Sequence, residues 1–282
     1  MKDKYAIFIP TFKRPDNVIT YKTLREANYD GKIYLIVGED DPQIEEYKRS
    51  YKDEVIVFSK EEARKDTDLM DNFEKRNAVV FARNKMFDIA KDLQLDNFLV
   101  LDDDYDRFKF RRCFGAILKD FKILDVKICI EATFDYLNSS KVLDCIAWSQ
   151  GGDFIGGADT FPKINGKRKI MNAFFFKTDR RIRFIGSINE DLNASVYEGQ
   201  RGKVFFTIND VSIIQKNTQQ NAGGLTDIYL DIGTYVKSMY SVIAAPNCVS
   251  VSAMGNNDLR LHHKVNWNQA CPKIIREEHK KW

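Results

Sequence analysis

Residues 98–101, Phe-Leu-Val-Leu, run directly into Asp102, Asp103 and Asp104, with Asp106 two residues further on. The apolar run has the composition of a buried strand. Stacked carboxylates repel one another and lose solvation on burial unless a cation compensates them. A divalent metal ion is one such cation, and carboxylate oxygens are its ordinary ligands. On an extended segment alternate side chains share a face, so Asp102 and Asp104 point together while Asp103 points elsewhere. Four further groups have the chemistry to join such a centre. Asn189-Glu190-Asp191 carries a second carboxylate pair. Arg83, followed by Asn84, has a guanidinium suited to bidentate contact with phosphate or carboxylate. Pro10, Thr11, Arg14 and Asp16 follow one apolar run, and Glu39 follows another. His262 and His263 are adjacent in a chain with only three histidines, and Lys264 comes next.

The elements that must position these residues follow from periodicity. Strands are predicted at 5–10, 33–37, 55–58 and 97–101, a helix at 18–28, and a longer one over 74–94, where Ala78, Phe81, Ala82, Met86, Ile89, Ala90 and Leu93 recur at helical spacing. Strands alternating with helices indicate βαβ units and a mostly parallel sheet, Rossmann-like in its N-terminal half. Ligands collect beyond the carboxyl ends of such strands, where Thr11-Phe-Lys-Arg14, Glu39 and the Asp cluster all fall. From 107 to 150 the pattern reads as helical, with an amphipathic stretch around 117–137, then a strand at 145–149. Gln150, Gly151, Gly152, Asp153, Gly156 and Gly157 form a glycine-dense loop whose backbone has room to approach a ligand closely. A strand is expected at 171–176, a loop leading into a helix at 186–193, strands within 203–215, and helix or mixed structure at 225–243. The last 30 residues show little pattern. No linker is evident, so 1–282 reads as one α/β domain, with a donor half at 1–106 and an acceptor half with a C-terminal tail at 107–282.

The chain is 44% hydrophobic, with 20 Phe and 12 Tyr, enough for a sizeable core. No apolar run approaches the length of a membrane span and no secretory signal is visible, so no membrane partner is expected. Five scattered cysteines without a CxxC pattern read as reduced thiols of a cytoplasmic protein. Net charge is only +3, yet Lys163, Lys167, Arg168, Lys169, Lys177, Arg180, Arg181 and Arg183 meet one acid, Asp179, over 163–183. A second basic run spans Arg107–Arg112. Solvated faces would account for both, and so would a polyanionic partner.

The ordered set Ile9-Pro-Thr-Phe-Lys-Arg-Pro-Asp16, Ala82-Arg-Asn84, Leu101-Asp-Asp-Asp104, Asn189-Glu-Asp191 and His262-His263 resembles the GT-A nucleotide-sugar glycosyltransferases over about 200 residues. Within that class the segments SQGGDFIGG and TQQNAGG look most like the TET-associated glycosyltransferases, phage enzymes proposed to add sugars to oxidised or hydroxymethylated pyrimidines in DNA. The resemblance implies a GT-A-like fold and a nucleotide-sugar donor, a UDP-sugar first among them, with Mn²⁺ or Mg²⁺. It places Asp104 and Asp102 at the metal, with His262 or His263 completing the shell. It places Pro10, Thr11, Arg14, Glu39, Arg83, Asn84, Asp102, Asp103 and Lys264 at the donor. It implies Asp191 as the base of an inverting transfer, with Glu190 in support. Gln150, the glycine loop, Lys167, Arg168 and Lys169 would face a DNA acceptor. The other acceptor reading is a surface polysaccharide or a protein. A nucleotidyltransferase is disfavoured, because Thr-Phe-Lys-Arg stands where a glycine-rich loop would be wanted after the first strand. The sequence leaves the sugar and the oligomeric state open.

Overall fold

A computed structural model of the chain describes residues 4–72, 79–115, 117–150, 168–170, 173–215, 226–254 and 260–271. Its centre is a nine-stranded sheet built from Tyr5–Pro10 (β1), Ile33–Gly38 (β2), Val55–Phe58 (β3), Asn97–Leu101 (β4), Tyr105–Phe114 (β5), Ile117–Lys122 (β6), Cys145–Gln150 (β7), Ala173–Lys177 (β8) and Phe205–Gln215 (β9). The order across it is β3-β2-β1-β4-β8-β7-β9-β5-β6. Only β8 and β5 run against the other described strands of the sheet, so it is mostly parallel, and wholly so from β3 to β4.

The central strands are apolar on both faces because both are covered, as a parallel sheet with crossover helices requires. Ile7, Ile9, Leu99, Leu101 and Phe175 enter one core, with Leu24 of Ile19–Glu26 (α1), Tyr47 of Ile44–Tyr51 (α2) and Ile130 and Phe134 of Val126–Ser139 (α5). Their sequence neighbours Ala6, Phe8, Phe98, Val100, Phe174 and Phe176 enter the other core. That core is shared with Ala63 of Lys60–Lys65 (α3) and with Phe81, Met86 and Ala90 of Val80–Asp92 (α4). β1 pairs with β2 on one side and with β4 on the other. The chain winds outward in both directions from this pair, which makes the carboxyl ends of β1 and β4 the place where a doubly wound sheet opens a crevice.

Three expectations from the sequence need correction. The stretch 107–122 is not helical: β5 and β6 form a hairpin, with Phe110 opposite Phe121 and Arg111 opposite Asp120. Gly115 turns it with φ +60°, a conformation that costs glycine nothing. The amphipathic helix begins only at Val126, where the Asp125 side chain accepts from the Ile128 amide at 3.4 Å. Second, the described part of α4 runs over Val80–Asp92 and stops short of the predicted end at 94, while 74–78 lie outside the described residues. Third, the patternless tail contributes a strand, Arg260–Val265 (β11), which pairs antiparallel with Val249–Met254 (β10) beside Thr226–Ala244 (α7). Glu190–Gln200 (α6) and Trp267–Ala270 (α8) complete the described elements. Among the described residues no helix is long and apolar enough to cross a membrane.

Candidate active site

Strand β4 ends at Leu101, so the three aspartates lie in a turn where strict alternation does not hold, and each meets different partners. Asp103 faces the first strand: its Oδ2 accepts from Thr11 Oγ1 at 2.8 Å and its Oδ1 from Arg14 Nη1 at 3.2 Å. Asp102 faces α4, accepting from Arg83 Nη2 at 2.9 Å and from the Tyr105 hydroxyl at 3.3 Å. Asp104 Oδ2 accepts from Gln215 Nε2 at 2.8 Å, and its Oδ1 is buried without a hydrogen-bond partner. Thr20 of α1 holds the turn in place: its hydroxyl donates to the Asp102 carbonyl at 2.5 Å and accepts from the Tyr105 amide at 2.8 Å.

The loop after β1 is fixed by residues whose importance the sequence did not reveal. The Tyr47 hydroxyl accepts from the Arg14 amide at 2.9 Å and lies 3.1 Å from Thr11 Oγ1. Asp41 accepts from the amides of Lys13 at 2.7 Å and Gln43 at 2.9 Å, and Lys13 has φ +55°. A non-glycine residue held there needs such support. Pro10 ends β1 and is buried. Glu39 accepts from Ser59 Oγ at 2.8 Å and from the Glu61 amide at 3.2 Å, so its carboxylate caps the start of α3.

Arg83 is the hub. It lies in the first turn of α4, and its side chain is 2% exposed. Nη1 contacts Glu190 Oε1 and Nη2 contacts Asp102, so one guanidinium ties the β4 turn to the start of α6. The rings of Phe174 and Phe184 lie 5.2 and 5.6 Å from its guanidinium carbon, within cation–π range. Burial opposes its charge, but Glu190, Asp102 and Asp191 outweigh burial and hold it protonated. Asn84, expected at the donor, instead clamps the backbone. Its Oδ1 accepts from the Phe184 amide at 2.9 Å, and its Nδ2 donates to the Phe184 carbonyl at 2.8 Å. That fastens the segment leading to Glu190.

That segment is tightly built. Gly186 has φ +84°, and a Cβ there would lie 2.5 Å from Asn193 Nδ2. Asn193 in turn donates to the carbonyls of Ile185 at 3.1 Å and Ile188 at 2.9 Å. Asp71 accepts from the Ser187 and Tyr240 hydroxyls, each at 2.5 Å, linking α7 to the same turn. Asn189, left-handed at φ +57°, donates to the Lys237 carbonyl at 2.8 Å. Asp191 is buried, with Lys169 Nζ 2.6 Å from its Oδ2 and the Leu192 amide 2.7 Å from its Oδ1. Burial pushes its carboxyl up, but Lys169 and Arg83 more than offset this and the net pKa is lowered. For Glu190 burial prevails over Arg83 and the pKa is raised. Asp104 is raised to about 6 by burial and by Asp102.

The proposed metal set Asp102, Asp104, His262 and His263 does not assemble. Among the described residues no three His, Cys, Asp or Glu side chains form a group able to hold a metal ion. β11 instead brings His263 to the Asn189 turn, its Nδ1 3.4 Å from Asn189 Nδ2. Burial, His262, Lys169 and Lys237 lower its pKa to about 4, so the ring is neutral. The His262 ring lies 4.1 Å away, tilted by 35°, and Lys264 is exposed.

The basic runs also change meaning. Lys169, expected at the acceptor, pairs with Asp191. Lys177 donates to the Ser140 carbonyl, Arg180 to those of Lys141 and Leu143, and Arg181 binds Asp88 at 2.6 Å. Lys109 and Arg111 both bind Asp120, at 3.0 and 3.2 Å. Much of the positive charge thus fastens the fold. Arg168 Nε donates to the Lys169 carbonyl, and Gln150 ends β7, its carbonyl accepting from Arg111 at 3.2 Å. Gly151, Gly152, Asp153, Gly156, Gly157, Lys163 and Lys167 lie outside the described residues.

With this geometry in view, known proteins can be set beside the chain. No curated protein matches it. Crystal structures of glucosyl-3-phosphoglycerate synthase from Mycobacterium tuberculosis are distantly similar. The complex with Mg²⁺ and UDP is 8% identical, covering 93% of this chain and 88% of that one at a TM-score of 0.49. The complex with Mn²⁺, UDP and phosphoglyceric acid is 9% identical, covering 93% and 87% at a TM-score of 0.47. The family described as TET-Associated Glycosyltransferase matches residues 5–224, a span that includes β1, the Asp102–Asp104 turn, Arg83 and the Glu190–Asp191 pair. The chain belongs to the TET-associated glycosyltransferase family and is a glycosyltransferase.

Proposed function

We propose that this glycosyltransferase moves a sugar from a nucleotide-sugar, a UDP-sugar first among the candidates, to a hydroxyl on a hydroxymethyl- or hydroxypyrimidine in phage DNA, with inversion. The observation that carries the placement of the reaction is the Arg83 bridge between Asp102 and Glu190. It sets the donor-side carboxylates and the carboxylate pair of α6 around one guanidinium, beyond the carboxyl ends of β1 and β4.

The residues present fit a divalent cation. Asp104 Oδ1 is a buried acceptor without a partner, and burial together with the neighbouring Asp102 charge raises the Asp104 pKa, a combination that a cation would relieve. Asp104 would hold Mn²⁺ or Mg²⁺ with Asp102 beside it. Donor phosphate oxygens and water would supply the other ligands, the usual arrangement for Mg²⁺. The ion would neutralise charge developing on the diphosphate. Arg14 and Thr11 hold Asp103 and thereby the loop under the nucleotide.

In the transfer the acceptor hydroxyl oxygen bonds to the anomeric carbon as the bond from that carbon to the diphosphate oxygen breaks. The hydroxyl proton goes to the Asp191 carboxylate, and the nucleoside diphosphate leaves. A lowered pKa keeps Asp191 ionised at neutral pH, as a proton acceptor must be. Lys169 and the Leu192 amide occupy one lone pair on each oxygen, and a carboxylate has others to offer. Glu190 holds Arg83 and, through it, the spacing of the two halves.

The test is direct: incubate the protein with hydroxymethylated DNA and a panel of nucleotide-sugars, with and without Mn²⁺, then digest the DNA and weigh the nucleosides. A hexose or pentose added to a pyrimidine supports the reading. Transfer only to a glycan or protein hydroxyl would assign the enzyme to the other acceptor class.

A further inference from the structure

The β5–β6 hairpin ends the sheet, and its two faces differ in kind. Alternation and register place Phe110, Arg112, Phe114, Ile117, Lys119 and Phe121 on one face, since Phe110 is opposite Phe121, Arg112 opposite Lys119 and Phe114 opposite Ile117. The other face carries Asp120, which neutralises Lys109 and Arg111. Phe110 packs against the core, and beyond it the first face holds Phe114, Ile117 and Phe121 with two cations and no acid. It is also open to solvent: Phe114 is 53% exposed, Ile117 60% and Phe121 46%. The Phe114 and Phe121 rings meet edge to face at 6.1 Å, and Lys119 Nζ lies 5.6 Å from the centre of Phe114. Soluble proteins rarely leave so much aromatic surface on an edge hairpin without a partner.

We infer that this face binds the DNA strand flanking the reacting base, an inference that rests on the DNA-acceptor reading above. A partner must offer flat apolar surfaces for the phenylalanines and negative charge for Arg112 and Lys119, in alternation. A nucleic acid strand has both, with bases that stack on aromatic rings and phosphates that pair with cations. A second copy of the chain fits poorly, because the face laid against itself would bring Arg112 and Lys119 onto their own like charges. Position sets the reach. β5 leaves the Asp cluster directly, so at 3.3 Å per residue Phe110 is about 20 Å from Asp104 and Phe114 about 33 Å along the strand. At 3.4 Å per nucleotide step that distance is roughly six to ten nucleotides. The hairpin is thus a length-sensing contact: it engages DNA that extends well past the target base and does not touch a short acceptor.

The experiment measures transfer and binding with modified oligonucleotides carrying either two or fifteen nucleotides on each side of the target. The wild type is expected to bind the long acceptor more tightly. Phe114→Ala and Phe121→Ala should each weaken that binding about five-fold or more, the lower end for a lost base stack. Lys119→Ser should lower the salt slope by about one. None of the three should change KM for the short acceptor. Unaltered affinity of the variants for the long acceptor, with the wild type binding and modifying it, overturns the hairpin assignment alone. A wild type that neither binds nor modifies either oligonucleotide overturns the DNA reading and this inference with it. An equal loss on both acceptors would show that the face acts on the site rather than on flanking DNA, and would also overturn the inference.

Discussion

Replacing Arg83 by Met tests the organisation of the site in a way that does not depend on knowing the substrates. The side chain is 2% exposed and pairs with Glu190, 7% exposed, and Asp102, 21% exposed. Methionine keeps much of the volume against Phe174 and Phe184 but leaves Glu190 buried without its cation. Breaking a buried pair from one side costs about 3–5 kcal/mol. For a chain of this size that corresponds to a fall in Tm of about 6–20 °C, at 2–4 °C per kcal/mol. The pH dependence gives a second signature. Burial already raises the Glu190 pKa against the opposition of Arg83, and without Arg83 it rises further. An acid whose folded pKa lies above its unfolded value contributes stability that is complete at low pH. That contribution is lost as pH rises from the unfolded value through the folded one. The R83M protein should therefore be closer to wild type at pH 5 than at pH 8. Adding Glu190→Gln should recover about 0.5–3 kcal/mol at pH 8, because the two residues share one interaction. Thermal and urea melts at both pH values measure this. R83M melting within about 2 °C of wild type at pH 8, or a double variant no more stable than the single one, would refute the hub.

Four further outcomes follow from the same geometry. Asp104→Asn should abolish Mn²⁺-dependent UDP binding by calorimetry. It should also stabilise the metal-free protein, more at pH 8 than at pH 5, because ionising a carboxyl raised to about 6 costs stability as pH rises. Asp191→Asn should retain donor binding while turnover falls by about 10² or more, the usual contribution of a positioned proton acceptor, and near-normal turnover would make Asp191 structural. Lys169→Met should raise the Asp191 pKa and move the acidic limb of the kcat/KM profile to higher pH; an unmoved limb would detach Lys169 from the base. His263, lowered to about 4, should cost wild-type stability as pH falls from 6.5 toward 4, because the unfolded chain takes up that proton first, and His263→Asn should remove this component from melts across the range.

The sequence by itself determined the parallel half of the sheet. Runs such as Phe98–Leu101 are apolar at every position, a pattern that suits a strand covered on both faces, whereas the division of Asp102, Asp103 and Asp104 among Arg83, Thr11 and Gln215 belongs to the turn and its tertiary partners. The order of the motifs was enough to indicate the family. The hairpin at 105–122 was illegible because its phenylalanines and cations at short spacing imitate a helix, and because an edge ribbon with one wet face has no core to impose a clean pattern. What only the tertiary structure decided is which charges meet. Glu190 lies 107 positions from Arg83, and Gln215 lies 111 positions from Asp104. No local spacing records such pairs. Lys169 reads as a free surface cation in the sequence and becomes the partner of the proposed base; Asn84 reads as a ligand contact and becomes a clamp on Phe184. Electrostatic roles depend on distance and burial, which the packing of α4, α6 and β11 around the sheet sets.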